Sequence, residues 1–456
     1  MLERLFGLKR AGTSVGRETV AGLVTFASLS YILFVQPAIL SHPVAGMDPG
    51  GVLFATCVAS ALACFLMGLL ANYPIALAPA MGHNLFFVFT VCLVMGFTWQ
   101  EALAANLIAG LVFLALSWSS LRESVMYAIP HDLGAGITAG IGLLIALVGL
   151  EFGGLVQASE ATYIQLGRLG SPVAMLALFG LGLQVVLVVR RVAGAILIGL
   201  GGTALVGLVA SQFFALETPL VRWQGVVGAP PAPSAAFALD LGSLFARPWT
   251  DWLAVIVIFL VLDLFDTIGS LLGLGRHAGL LEDGRLPRAR PAFLADAVGT
   301  TLGSLLGTST VTVYIESATG ISAGGRTGLT AVVVGVCMLA GLVFSPLIAT
   351  IGGGVPAGGD SVVVYYPVIA PVLILIGTAM MAGLKEVEWS DPARAIPPFL
   401  CLLIMPLSFS ITDGIAWGCI ATSVIALSGR GGKTSPLVHL FTLLFVVRYV
   451  YMLRFG

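Results

Sequence analysis

The chain is a succession of long apolar stretches separated by short polar or Pro/Gly-containing breaks. A transmembrane helix needs about 20 apolar residues, and this criterion predicts fourteen spans. The predicted spans are 18–39, 51–71, 76–95, 101–119, 133–150, 171–189, 193–213, 249–274, 291–306, 308–325, 327–347, 360–384, 396–411 and 413–428. The following segment, 431–456, is apolar but carries Arg448, so we expect a cytoplasmic amphipathic tail helix at the membrane interface.

The composition agrees with this pattern. Of the 456 residues, 58% are hydrophobic and only 9% are charged, whereas an average soluble domain has about 25% charged residues. A water-soluble protein could not cover its surface with so few charges, so we predict an all-α polytopic membrane protein. The formal net charge of -1 gives no indication of a nucleic-acid partner. The six cysteines fall in apolar segments without a CxxC pair, which predicts packing rather than a disulfide, a metal site or a cofactor.

The basic residues are distributed unevenly between the two sides of the predicted spans. With residue 1 in the cytoplasm, only Arg168, Arg222 and Arg247 of the 21 Lys and Arg residues fall on the outer side. This positive-inside bias predicts an even number of spans, with both termini of the chain on the cytoplasmic side of the inner (plasma) membrane.

A Pro-rich stretch at 215–248 is the longest break and divides the spans into two sets of seven. We therefore expect a first repeat at 1–214, an extracytoplasmic linker at 215–248 and a second repeat at 249–430. Because seven is odd, the second repeat enters the membrane from the opposite face. That arrangement is the inverted repeat common among transporters.

Two spans in corresponding places have the pattern of broken helices. The third span reads NYPIALAPAMGHNLFFVFTV, and the tenth reads LLGTSTVTVYIESATGISAG. Each begins with an extended run, 75–78 or 310–315, before small, polar and then helical residues. Irregular backbone inside a membrane is tolerated only where protein or a water-filled cavity covers it. Paired breaks of this kind therefore indicate a substrate site near the midplane.

Four acids lie within predicted spans, where carboxylates are costly and usually functional: Asp263, Asp266, Asp296 and Glu316. Their spans offer no Lys or Arg at comparable depth. A desolvated carboxyl group tends to hold a proton, which suits a proton relay or a hydrogen bond to a polar ligand. Asp263 and Asp266 are separated by three residues and share a helix face with Thr267. Asp296 could instead bond a neighbouring helix.

Other polar and aromatic residues near the breaks could each have a structural or a ligand-binding role. Asn84 fits a binding site or a hydrogen bond between helices, and His83, one residue away, is expected to point elsewhere. The aromatic residues near the breaks and acids either pack or stack on a ligand; these are Phe26, Tyr31, Phe86, Phe265 and Tyr314.

Several segments resemble signature sequences of nucleobase–cation symporter family 2, the nucleobase–ascorbate transporter superfamily. They are LAPAMGHN, LDLFDTIGSLLG, FLADAVGTTLGSLLGTSTVTVYIESATGI and ARAIPPFLCLLIMPLSFSITDGIAWG. The resemblance runs nearly end to end and is greatest to the hypoxanthine, adenine and guanine permeases. It implies two inverted repeats of seven spans, with spans 1–4 and 8–11 as a core domain and spans 5–7 and 12–14 as a gate domain. It also implies short antiparallel strands at mid-membrane in the third and tenth spans.

The resemblance also implies roles for individual residues. Asp263 and Glu316 match acidic substrate-binding positions, Asp296 matches an important acid of the ninth span, and Asn84 matches a polar residue of the third. The predicted substrate-binding residues are Asp263, Glu316, Ile315, Ala80, Met81, Asn84, Phe26 and Ser28. Those predicted to handle protons are Asp266, Asp296 and Thr267. Ala80, His83 and Gln36 depart from the family pattern, which leaves the preferred base open.

The expected function is proton-coupled uptake of purine nucleobases by alternating access, with a purine base, a proton and the lipid bilayer as partners. A planar neutral base needs no Arg clamp, and the predicted spans offer none. The alternatives are a permease for uracil, xanthine or urate, or for an anion, on the same fold. An intramembrane enzyme is disfavoured because the sequence shows no Ser–His or metal-ligand constellation. Coupling stoichiometry and oligomeric state stay open, with a homodimer as one alternative.

Overall fold

The computed structural model describes residues 2–118, 130–159, 161–213, 218–281, 286–357, 363–429 and 435–455. Parts of the predicted linker (215–217), twelfth span (360–362) and tail (431–434) lie outside the described residues, as do the cations Arg122, Arg285, Arg430 and Lys433.

The described chain is mostly helical. In the first half, the α-helices are α1 (Leu2–Phe6), α2 (Val15–Leu29), α3 (Ile32–Leu40), α4 (Pro49–Leu66), α5 (Met81–Leu85), α6 (Trp99–Trp118), α7 (His131–Phe152), α8 (Pro172–Val189) and α9 (Ala195–Phe213). In the second half they are α10 (Leu241–Ala246), α11 (Trp249–His277), α12 (Ala289–Leu306), α13 (Ser317–Ser322), α14 (Gly328–Gly341), α15 (Ser345–Gly352), α16 (Ala370–Met380), α17 (Pro392–Ser408), α18 (Ile411–Leu427) and α19 (Pro436–Phe455). Wider π-helical turns extend α4 over Met67–Ala71 and α5 over Phe86–Val94, and a 3-10 segment, Met381–Glu386, follows α16.

Many of these helices are long and apolar enough to cross a membrane. Within the described residues, seven segments meet this criterion alone: Val15–Leu40, Pro49–Ala71, Trp99–Trp118, His131–Phe152, Pro172–Val189, Ala195–Phe213 and Trp249–His277. The pair formed by α14 and α15 would add an eighth but is bent by 82°. Shorter apolar helices are present at Met81–Val94, Pro392–Ser408, Ile411–Leu427 and Pro436–Val450. The chain is therefore a multi-pass membrane protein.

Three short antiparallel strand pairs accompany the helices. The first joins β1 (Leu77–Pro79) to β4 (Val311–Val313), with Ala78 opposite Thr312. The others pair β2 (Val156–Ser159) with β3 (Tyr163–Leu166), and β5 (Val355–Pro356) with β6 (Val364–Tyr365). The pair that joins β1 and β4 falls in the two extended runs of the third and tenth predicted spans.

The helices pack as two groups. The first group contains α2 to α6 and α11 to α14, and the second contains α7 to α9 and α16 to α18. Glycines let helices of the second group approach closely, as is common between membrane helices. A Cβ at Gly136 of α7 would lie 2.3 Å from Pro398 Cα, and one at Gly149 would lie 3.0 Å from the Ala370 carbonyl oxygen.

The last helix, α19, packs lengthwise and antiparallel against α18. His439 Nδ1 lies 3.0 Å from Ser423 Oγ near one end, and the Tyr449 hydroxyl donates to Asp413 Oδ1 over 2.7 Å near the other. Arg448 is only 4% exposed, with its guanidinium 3.6 Å from Asp413 and 3.7 Å from Asp251. The arginine on which the prediction of an interfacial helix rests is therefore paired with acids on α11 and α18.

Candidate functional site

The site is built where β1 and β4 interrupt two helices. The Ala80 amide donates to the Thr310 carbonyl over 2.9 Å, and the Tyr314 amide donates to the Ala76 carbonyl over 3.0 Å. Pro79 ends β1, where its missing N–H costs no helical hydrogen bond. After the strands, α5 starts at Met81 and α13 starts at Ser317, so each chain segment changes from strand to helix beside the other.

Two acids face open space beside this crossing. Asp266 on α11 is exposed, Glu316 before α13 is half-buried, and the two carboxylates are close enough to repel each other when both are ionised. Ile315 is 61% exposed. Phe26 and Ser28 of α2 are half-buried, and the Thr319 hydroxyl donates to Ser28 Oγ over 3.0 Å. Of the predicted substrate-binding residues, Glu316, Ile315 and Ser28 therefore lie together here, whereas Phe26 is two residues before Ser28 and faces another side of α2.

Exposed residues of α11 and of segment 315–322 run from these acids to one end of the bundle, where His277 Nε2 lies 2.9 Å from Ser322 Oγ, and the surface between the two rows is called the acidic cleft. Along α11, Asp266 is followed on the same face by Gly269, Gly273 and Arg276, all exposed. A Cβ added at either glycine would meet no atom within 4 Å. The opposite wall contains the exposed residues Ile315, Thr319 and Ser322. A small polar molecule could therefore reach Asp266 and Glu316 from the end that holds Arg276.

Asp263 and Asp296 lie behind this face, buried between α11, α12 and β4. Thr300 Oγ1 lies 3.0 Å both from Asp263 Oδ2 and from the Val311 carbonyl oxygen. The Thr267 hydroxyl donates to Asp296 Oδ2 over 2.6 Å and lies 2.9 Å from Thr312 Oγ1. Asp263 is 2% exposed, so its carboxyl group does not reach the cleft. Within the described chain, the second oxygen of each aspartate has no hydrogen-bond partner.

Three other predicted binding residues are also buried. Ala80 and Met81 are 2% and 6% exposed. The Asn84 amide is occupied within the protein, since its nitrogen donates to Gln36 and its oxygen accepts from Ser309. Gln36 in turn donates to Thr308 Oγ1 over 2.8 Å. Asn84 thus makes a hydrogen bond between helices, which is one of the two roles that the sequence allows for it.

The sequence predicts Tyr31 only as a packing or stacking ring, but in the structure its hydroxyl donates to Glu316 Oε1 over 2.8 Å. It lies between α2 and α3, where the first apolar helix is interrupted. Its ring is also tilted against Tyr314, with centroids 6.3 Å apart. A polar ring close to Pro37 in an apolar segment is the sequence signal that could have identified it.

Thr300 is a second residue that the sequence did not single out. It is one helical turn after Asp296, so an Asp–Thr pair at i, i+4 was the available signal. His83 is 2% exposed and lies away from the cleft. Within the described residues, no group of three or more His, Cys, Asp or Glu side chains is arranged to hold a metal ion.

Comparison with known proteins gives concordant matches. Residues 16–416 match the model of a permease family. A guanine/hypoxanthine permease of Bacillus subtilis is 38% identical over 97% of this chain and 99% of its own length. An adenine permease of Escherichia coli is 38% identical over 99% of this chain and 96% of its own length.

Solved structures with much lower identity share the fold. The transmembrane domain of a cyanobacterial bicarbonate transporter aligns with a TM-score of 0.59 at 15% identity, covering 88% of this chain and 96% of that domain. Murine solute carrier 26 family member A9, an anion transporter, aligns with a TM-score of 0.61 at 12% identity, covering 91% of this chain and 68% of its own. The family match and the full-length relatives show that this chain is a permease and belongs to the nucleobase–ascorbate transporter family.

Proposed function

We propose that this permease takes up purine nucleobases together with protons by alternating access. The observation that carries the proposal is its end-to-end similarity to permeases named for guanine, hypoxanthine and adenine. The acidic cleft also supports the proposal, because it is open to a small planar molecule and ends at two carboxylates.

In this proposal, Asp266 and Glu316 bind the base. A purine carries N–H donors on its edge, and ionised carboxylates accept such hydrogen bonds strongly. Ile315, beside Glu316 and 61% exposed, offers apolar surface to a face of the ring. Asp263, which the family pattern assigns to the base, is directed instead toward Thr300. Successive helix residues turn by about 100°, so positions three apart diverge by roughly 60°. That divergence allows one aspartate to face the cleft and the other the protein interior.

Asp263, Asp296 and Thr267 form the proton-handling group. Both aspartates are buried and close enough to interact unfavourably when ionised together. They also contact β4 through Thr300 and Thr312. A proton gained or lost here would therefore act on the strand that leads to Glu316, and this connection could couple protonation to base binding.

The proposed architecture has fourteen transmembrane spans in two inverted repeats, and these spans form a core domain and a gate domain. The first packed group corresponds to the core domain, and the second group corresponds to the gate domain. The chain would lie in the inner (plasma) membrane with residue 2 and Arg276 on the cytoplasmic side, which makes the open cleft inward-facing. The interruption by β1 and β4 would lie near the middle of the bilayer.

Uptake of radiolabelled hypoxanthine, guanine and adenine in a host without purine permeases tests the function. We expect saturable uptake of at least one base, reduced strongly by a protonophore. Absence of purine uptake by well-expressed protein would contradict the substrate assignment. Uptake insensitive to the protonophore would contradict proton coupling alone.

The second candidate is a different nucleobase or an anion, and the solved anion transporters with this fold are the reason to test it. Among the described residues, no Lys or Arg contacts the Asp266–Glu316 site. Two carboxylates without a cation disfavour an anion. Competition by unlabelled uracil, xanthine, urate and bicarbonate separates these cases, and we expect unlabelled hypoxanthine, guanine and adenine to compete most effectively.

A further inference from the structure

An aromatic cluster joins the two packed groups at the end of the bundle away from Arg276. His42 and Phe89 come from the first group, and Phe152 and Phe409 come from the second. The His42 and Phe152 rings are stacked at 12° with centroids 6.1 Å apart. Phe89 lies 6.0 Å from Phe409 and 5.5 Å from His42. Rings from both groups therefore interlock in one layer.

Hydrogen bonds support the same junction. The Ile411 amide donates to Thr90 Oγ1 over 3.1 Å, and the Thr90 hydroxyl donates to the Phe409 carbonyl over 3.4 Å. Phe409, between α17 and α18, has a left-handed backbone with φ of 50°. A non-glycine residue in this region persists only where its surroundings hold it, and here Thr90 of the other group is part of those surroundings.

A cavity of about 660 Å³ lies at this end of the bundle. Phe34, Ser41 and Tyr366 are among its lining residues. The Tyr366 ring also packs on Phe152, with centroids 4.8 Å apart. Tyr366 thus connects the aromatic cluster to this cavity, and the acidic cleft opens toward the opposite end of the protein.

We propose that this aromatic cluster is the gate that closes the substrate site from the side of the 660 Å³ cavity. The inference rests on the proposed transport function. Apolar rings packed edge and face exclude water, and each ring contact is weak enough to separate and re-form. Movement of the second group relative to the first would part His42 from Phe152 and Phe89 from Phe409. The cavity would then connect to Asp266 and Glu316.

Cross-linking tests this gate directly. In a His42→Cys/Phe152→Cys variant, a short bis-methanethiosulfonate should bridge the two groups through two disulfides with release of methanesulfinate, and uptake should fall at least tenfold. A reducing agent that cleaves the bridge should restore uptake. Phe89→Cys/Phe409→Cys repeats the test at the second ring pair and covers the case in which the first variant does not fold.

A matched control is available between α7 and α8 of the second group. Gln157 and Gln165 are exposed and lie opposite each other in the β2–β3 pair, outside the aromatic cluster. A bridged Gln157→Cys/Gln165→Cys variant should keep its uptake, as should reagent-treated wild type with its six native cysteines. Continued uptake with the 42–152 bridge verified by mass spectrometry would overturn the gate. Loss of purine uptake from untreated wild type would instead contradict the proposed function, while bridging yield would still report whether the rings adjoin.

Discussion

The hydroxyl of Tyr31 donates a 2.8 Å hydrogen bond to Glu316 Oε1. It connects the interruption of the first apolar helix to the start of the half-helix that follows β4. We expect Tyr31→Phe to keep the ring packing but to lose the orientation of Glu316. A hydrogen bond to a charged group contributes about 1.5–3 kcal/mol, so the KM for the base should rise roughly tenfold or more. Initial uptake rates measure this, with the exposed Tyr163→Phe as the control. An unchanged KM would show that Tyr31 only packs.

The two aspartates of α11 should behave differently. Asp266→Asn removes a carboxylate from the cleft, and we expect the KM to rise about tenfold or more because a charge-assisted hydrogen bond is lost. Asp263→Asn alters the buried group beside Thr300, and we expect a lower maximal rate with a smaller change in KM. Uptake kinetics at matched expression measure both, with Asp240→Asn in the exposed linker as the control. A raised KM for Asp263→Asn with normal binding by Asp266→Asn would restore the assignment made from the family pattern.

The Asn84 network should contribute to stability. Asn84→Ala leaves the Gln36 side-chain oxygen and the Ser309 hydroxyl hydrogen without the partner that Asn84 supplies in a buried site. An unsatisfied buried polar group costs about 1–3 kcal/mol, so the melting temperature in detergent should fall by several degrees. Ser28→Ala, at the half-buried cleft face, should change it little. Unchanged stability with a switch in the preferred base would show that Asn84 contacts the substrate directly.

The Asp48–Ser234 contact makes a pH-dependent prediction outside the spans. Asp48 accepts hydrogen bonds from Ser234 Oγ over 2.6 Å and from the Gly51 amide over 2.7 Å. The Ser234 hydroxyl lowers the pKa of Asp48 below its usual 3.8. A lowered native pKa adds stability above the unfolded pKa, and that stability is lost as pH falls through the native pKa. At pH 7 the melting temperature of the wild type should therefore be higher than that of Asp48→Asn, and this difference in melting temperature should shrink below about pH 4. Ser234→Ala should show the same loss, and a constant difference across this range would contradict the role of the charge.

The packing of α19 predicts where its two ends lie. Because α19 runs antiparallel along the apolar helix α18, we expect Ser435 and Leu453 to lie on opposite sides of the membrane. Thiol labelling of Ser435→Cys and Leu453→Cys in intact and permeabilised cells tests this. Labelling of both only after permeabilisation would support the interfacial tail predicted from the sequence.

Local chemistry made the broken helices predictable. Pro74 and Pro79 disfavour helix around β1, and β-branched residues favour the extended backbone of β4. The runs predicted at 75–78 and 310–315 therefore overlap the observed strands. Their pairing with each other depends on the fold of both repeats, which the resemblance implied and local propensity alone could not determine.

The rotation of α11 was harder to predict. Spacing shows that Asp263 and Asp266 diverge slightly, but not which of them faces the protein interior. The stripe of Asp266, Gly269, Gly273 and Arg276 was the available signal, because small and polar residues at helical spacing leave an open face. One of the two acids that pair with Arg448 could not be identified from the sequence for another reason. Asp251 is nearly two hundred positions away, and only tertiary packing brings it to α19.

Equilibrium binding of hypoxanthine, guanine and adenine to the purified protein tests the central claim most directly. We predict saturable binding of at least one purine, weakened at least tenfold by Asp266→Asn and by Glu316→Gln, with no competition by bicarbonate. A purine site at Asp266 and Glu316 would be contradicted if the folded wild type bound no purine. It would also be contradicted if both variants bound the purine with the affinity of the wild type.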